Sequence, residues 1–143
     1  MQCYVVATDF SPEAGAAVHL AVTLAKVQRA KLILLHSTGF LGEGVPSRDA
    51  WSAMLQTARR ELSSQRRAIE SQGISCDTVL SAKEPAEAIA RCAEELAARL
   101  IAIASCGSGA EPDELGQVTK RVLQIASCPV VVVPPRLAKR SSG

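Results

Sequence analysis

The chain has 143 residues, 48% of them apolar and 3% aromatic, with a formal net charge of +2. That length supports one domain with a full hydrophobic core. The charge is too small to draw in nucleic acid, Tyr4, Phe10, Phe40 and Trp51 are too few aromatics for a base-stacking platform, and no apolar run reaches the ~18 residues of a membrane span.

The opening MQCYVVATDF lacks the basic region and small-residue cleavage site of a secretion signal, so a cytoplasmic location is expected. Residues 3–8, CYVVAT, read as a short first strand. A helix follows, with Ser11 as N-cap, Pro12 as first helical residue and Glu13 at the positive end of the dipole. Ala17, Leu20, Ala21, Leu24 and Val27 recur at helical spacing and predict its buried stripe, while His19 lies with Thr23 and Lys26 on the solvent side. Residues 31–38, KLILLHST, form a nearly all-apolar second strand of the kind buried on both faces of a parallel sheet, with His36 as a satisfied strand-end residue.

The segment 39–47, GFLGEGVPS, reads as a loop, and Arg48 to Gln72 as a long helix ended by Gly73. Its buried face carries Trp51, Leu55, Ala58, Leu62 and Ile69; Arg59, Arg60, Arg66 and Arg67, interleaved with Glu61 and Glu70, make a solvated face. Residues 74–81, ISCDTVLS, are a more amphipathic third strand suited to a sheet edge. A helix over 84–100, opened by Pro85, turns Ala86, Ile89, Ala90, Ala93, Leu96 and Ala97 inward. Residues 100–105, LIAIAS, are the fourth strand. After a glycine-rich loop, a helix over 114–127 carries Leu115, Val118, Val122 and Ile125, and a fifth strand, CPVVVVPP, spans 128–135. The domain is thus expected over residues 1–135, with 136–143 a loose polar tail.

Strict strand–helix alternation predicts a parallel sheet with helices on both faces and right-handed crossovers. Ligands of such sheets bind beyond the carboxyl ends of the strands, where strand order reverses. Two loops qualify: TDFSP after the first strand and SCGSGAEPDELGQ after the fourth. Asp9 in the first can accept hydrogen bonds from a base or ribose edge, or cap the turn's own N–H groups. The second carries Gly107, Gly109 and Gly116, which let backbone approach a phosphate, but also Glu111, Asp113 and Glu114, which repel one. Neither a Walker motif nor a full G-x-G-x-x-G is present; Ser108 lacks a G-x-S-x-G setting and a later histidine.

The five cysteines include no C-x-x-C pair and no zinc spacing with the two histidines, so no metal site is expected and reduced thiols are. Cys3, Cys76 and Cys92 read as small core residues. Cys106, in the glycine-rich loop, reads as a structural or exposed thiol, with a thiol sensor as the weaker reading.

VVATDFSPEA, LILLHS, EPAEAIARCAEELAARLIAIAS and GQVTKRVLQIASCPVVVVP, taken together, resemble the universal stress protein family from the first strand to the last. The resemblance implies a three-layer α/β/α, doubly wound fold of the adenine-nucleotide-binding type, with a five-stranded parallel sheet in the order 3-2-1-4-5. It also implies a stress-response role and a homodimer joined through the last strand, Pro129–Pro135. ATP-binding members carry G-x2-G-x9-G-Ser/Thr after the fourth strand. Here the matching positions are Ala104, Gly107 and Gly116, with eight residues between the last two and Gln117 in place of the hydroxyl. With Asp9 and Val118 these residues make the candidate cofactor site. The altered motif points to a degenerate nucleotide site: a domain acting by binding and dimerisation without strong ATP binding. The alternative is an ATP or adenine-nucleotide binder with at most slow hydrolysis, magnesium entering only alongside nucleotide.

Overall fold

In the computed structural model, residues 1–39, 47–106 and 115–134 are described. Nine elements alternate along them: β1 (Cys3–Ala7), α1 (Pro12–Gln28), β2 (Lys31–Ser37), α2 (Arg48–Glu70), β3 (Cys76–Ser81), α3 (Pro85–Glu95), β4 (Leu100–Ala104), α4 (Gln117–Ile125) and β5 (Val130–Val133). The strands form one all-parallel sheet in the order β3-β2-β1-β4-β5, the expected α/β/α arrangement. β1 lies at the centre, and the chain reverses its direction of travel across the sheet between β1 and β4. That is the topological switch point where a crevice opens.

Strand alternation sends side chains to two cores. Val6, Leu32, Leu34 and Ala102 pack with Ala17 and Ala21 of α1 and Leu62 and Ile69 of α2. On the other face Val5, Ile33, Leu35, Ile101 and Ile103 pack with Ile89 and Ala93 of α3 and Val122 of α4. Because both faces of β1, β2 and β4 are covered, their sequences are apolar without alternation.

Three helix faces differ from expectation. In α1 the buried residues are Ala14, Ala16, Ala17, Ala21, Val22 and Ala25, whereas Val27 is 73% exposed. Alanines let α1 lie close on the sheet, and Val27, two residues past Ala25, points about 200° round the helix from it. The predicted 84–100 helix stops at Glu95. Ala97 adopts a left-handed φ of 51°, and Ala98 N–H reaches back to Ala93 O at 2.8 Å. This reversal returns the chain in time for Arg99 N–H to bond Cys3 O, so Leu96 and Ala97 are exposed. α4 begins at Gln117, leaving Leu115 outside it and 38% exposed, while Val118, Val122 and Ile125 face inward.

The β2 exit is tightly built. Ser37 Oγ donates to Lys83 O and accepts from Gly39 N–H, and a Cβ on Gly39 would stand 1.9 Å from Lys83 O. Only glycine fits there. Gly73, at φ 85°, turns the chain after α2. Arg59, Arg60, Arg66 and Arg67 are exposed, as the solvated-face reading requires. Among the cysteines, Cys76 and Cys106 are buried and Cys3, Cys92 and Cys128 half-buried. Burial pushes the Cys76 thiol up to about 11, with the nearby Glu70 carboxylate adding to it. Burial also raises the thiols of Cys3, Cys92 and Cys128. No helix among the described residues is long and apolar enough to cross a membrane.

Candidate functional site at the carboxyl rim of the sheet

The β1–α1 turn forms one wall. Thr8 is buried, and its hydroxyl accepts Phe10 N–H at 2.9 Å. Asp9 Oδ1 accepts Ser11 N–H at 2.9 Å, and Ser11 Oγ caps α1 through Ala14 N–H at 3.2 Å. Asp9 therefore does cap its own turn, as the local reading held. Its side of the turn is exposed, so the second carboxylate oxygen remains available to a ligand.

Phe10 takes a left-handed φ of 67°, which is rare for a bulky side chain. Its ring stacks on His36, centroids 4.3 Å apart and planes at 30°. His36 Nδ1 lies 2.8 Å from Thr8 O. A carbonyl can only accept, so Nδ1 carries the proton, and in the neutral ring Nε2 is left as an acceptor.

The described ends of the β4–α4 connection, with the first turn of α4, form the opposite wall. Ser105 N–H bonds Val133 O and Gly116 N–H bonds Ser105 O, both at 2.8 Å, pinning the two ends of the connection together. Thr119 Oγ1, buried, donates to Ala104 O at 2.7 Å and ties the first turn of α4 to the tip of β4. Gly116 is the N-cap of α4 and makes no side-chain cap. Ser11, Ser47 and Glu84 each accept N–H groups at the starts of α1, α2 and α3. Helix geometry leaves the N–H groups of Gln117, Val118 and Thr119 without intrahelical partners, and among the described residues no side chain takes them. Such a terminus attracts anions through its dipole and its free donors.

Between the walls lies a cavity of about 360 Å³. Asp9, Ala104, Gly116, Gln117 and Val118 all line it, so five of the six residues singled out from sequence meet at one place. Gly107 lies outside the described residues, as do Gly109, Glu111, Asp113, Glu114, Ser108 and Pro135. The cavity also takes in His36, Ser37, Pro85, Ile89, Cys106 and Thr119.

These additional residues have different legibility. Pro85 and Ile89 arrive because α3 begins at the same rim, which strand–helix alternation implies. Thr119 sits three residues past Gly116, where a first-turn hydroxyl can reach back, a signal present in the sequence. His36 reads as a strand-end residue, and it is one: it bonds Thr8 O, yet its ring also forms part of the cavity wall. Cys106 is 4% exposed, so its thiol is a structural part of the wall rather than an exposed loop thiol. The donor set suits a nucleotide: apolar floor, free helix N–H groups at one end, and carboxylate, imidazole and hydroxyl groups at the other. Among the described residues no group of three or more His, Cys, Asp or Glu side chains is placed to hold a metal ion.

The comparisons agree with this fold. The curated universal stress protein YxiE of Bacillus subtilis (strain 168) is 28% identical over 144 residues, covering 90% of this chain and 95% of that protein. Among solved structures, universal stress protein UspA from Lactobacillus plantarum superposes with a TM-score of 0.79 at 22% identity, covering 92% of this chain and 97% of that one. The universal stress protein from Archaeoglobus fulgidus in complex with dAMP gives a TM-score of 0.70 at 23% identity, over 93% of this chain and 98% of its own. The universal stress protein family model matches residues 4–134. With that match over nearly the whole chain, and the sheet order expected of it, the chain belongs to the universal stress protein family.

Proposed function

We propose that this domain acts by binding an adenine nucleotide in the rim cavity, favouring a monophosphate over ATP. The observation that carries this reading is the uncapped start of α4, which opens into the same cavity as Asp9. The phosphate sits on the N–H groups of Gln117, Val118 and Thr119, and Asp9 accepts from the base or ribose. The dAMP complex of the Archaeoglobus fulgidus protein supports the ligand class.

The preference for one phosphate follows from charge and donors. The segment between Cys106 and Gly116, both in the cavity wall, carries Glu111, Asp113 and Glu114, and Gln117 stands where ATP-binding relatives have a hydroxyl. Each added phosphate charge adds to the repulsion from this acidic segment, on the order of 1 kcal/mol for a pair of charges ~4 Å apart even in water. Calorimetric titration with AMP, ATP and ATP with magnesium tests this. AMP is expected to bind about tenfold more tightly than ATP. Absence of AMP binding overturns the nucleotide reading, and tighter binding of magnesium-ATP replaces it with the ATP-binding alternative.

A second reading, homodimerisation through the last strand, is favoured by β5 itself. Val130, Val131 and Val132 are only half-buried, and β5 pairs with β4 on one side alone among the described residues. Such an apolar edge invites a second strand. Light scattering is expected to give a dimer that Val131→Lys converts to monomer; a monomeric native chain removes the reading.

A further inference from the structure

A second cavity adjoins the first. It also measures about 360 Å³ and shares His36 and Ser37 with the nucleotide cavity. Beyond those two residues its wall, among the described residues, is Phe10 from the β1–α1 turn, Thr38 from the β2 exit, and Ala53, Met54, Thr57 and Ala58 from α2. None of these carries a charge. A thioether and an aromatic face are adaptable, apolar contact surfaces. A cavity of ~150 Å³ already accommodates benzene. This one therefore has room for a ring-sized group.

The layout of the sheet sets which part of a ligand would reach it. The anion-binding terminus of α4 stands over the end of β4, next to Gly116. His36 and Ser37 belong to β2, and β1 lies between. Two strand spacings, about 10 Å, separate β4 from β2. A ligand anchored by its phosphate at α4 thus runs across β1, past Asp9, and brings its remote end to His36 and Ser37. Those two residues line both cavities. The stacked Phe10 and His36 both line the second cavity, together with residues of α2.

Resting on the nucleotide reading above, we propose that the preferred ligand is an adenine nucleotide whose base carries an apolar, ring-sized substituent, and that this substituent fills the cavity between Phe10, His36 and α2. The phosphate and ribose identify the ligand as a nucleotide; the α2 cavity distinguishes the substituted base from the plain one. Leaving the cavity solvated when plain AMP binds forgoes apolar burial that the substituted ligand gains.

The test is calorimetry with AMP and with N6-benzyl-AMP on the whole chain and on Ala53→Trp. Ala53 is exposed on α2 and does not line the nucleotide cavity, so the indole fills the second cavity without a core position being disturbed. On the native chain N6-benzyl-AMP is expected to bind about tenfold more tightly than AMP. In Ala53→Trp that advantage disappears while AMP affinity stays as it was; Thr57→Trp, also exposed, repeats the result from the next turn of α2. Equal or weaker binding of N6-benzyl-AMP to the native chain overturns the inference and leaves the nucleotide reading intact. An advantage that persists in both variants places the benzyl group elsewhere and likewise overturns it. Absence of binding by both compounds overturns the nucleotide reading, and this inference with it.

Discussion

The β1–α1 turn and the β4–α4 connection flank the same cavity and do the same topological job, yet they use their polar groups differently. In the first, Thr8, Asp9 and Ser11 satisfy the N–H groups of Phe10, Ser11 and Ala14 from within the turn. The second is held by Gly116 N–H on Ser105 O and by Thr119 on Ala104 O, and neither bond touches the free donors of α4. One strand-to-helix transition is closed upon itself and rigid. The other is pinned at its base and, among the described residues, leaves the first N–H groups of its helix without a partner. A binding rim needs both: a turn that holds its shape unaided, and one whose unsatisfied groups await an anion.

The largest effect is expected where the open wall is pinned. Thr119→Val removes the buried donor to Ala104 O and should lower stability by about 2 kcal/mol in chemical denaturation. AMP affinity should fall with it, because the first turn of α4 loses its tie to β4. Unchanged stability would mean that the connection is held by something other than this bond.

Next comes a change that makes the open helix resemble the closed one. Gly116→Asp supplies α4 with a side-chain cap and places a carboxylate where the phosphate should sit. Stability should rise by a few tenths of a kcal/mol, about the gain of Asp over Gly at an N-cap. AMP affinity should drop more than about tenfold. Retained affinity would show that α4 is not the anion anchor.

The converse change, Ser11→Ala, opens the closed turn. A loss of about 1 kcal/mol of stability is expected, with AMP affinity little altered. A loss of affinity as deep as that of Gly116→Asp would erase the distinction between the two walls.

The smallest effect on AMP binding is expected from a control away from both. Cys76 lies in the core on β3, its thiol raised from 9.0 to about 11. Between those values the unfolded chain ionises first, so the folded form holds more protons and stability falls as pH rises. Below pH 9.0 this contribution is fully present, and above about 11 the loss is complete. Denaturation series across that window should show the decline in native protein and a shallower one in Cys76→Ala, with AMP making no difference to the slope.

Much of this molecule was determined along the chain itself. Alternating apolar strands and helices, Ser11 with Pro12, Pro85 and Gly73 mark element types and several boundaries, because caps, proline and left-handed glycine act over three or four residues. That local chemistry, with the family resemblance, extended to the sheet order and to five of the residues that line the rim cavity. Other features were decided only by packing. Val27 is exposed although it repeats at helical spacing, because α1 seats its alanines on the sheet. Leu96 is exposed because β4 must begin at Leu100 to pair with β1, and the chain reverses at Ala97 to do so. The burial of Cys106, the Phe10–His36 stack and the cavity against α2 join residues far apart in sequence. Their energies depend on which surfaces meet, and only the assembled sheet and its helices specify that.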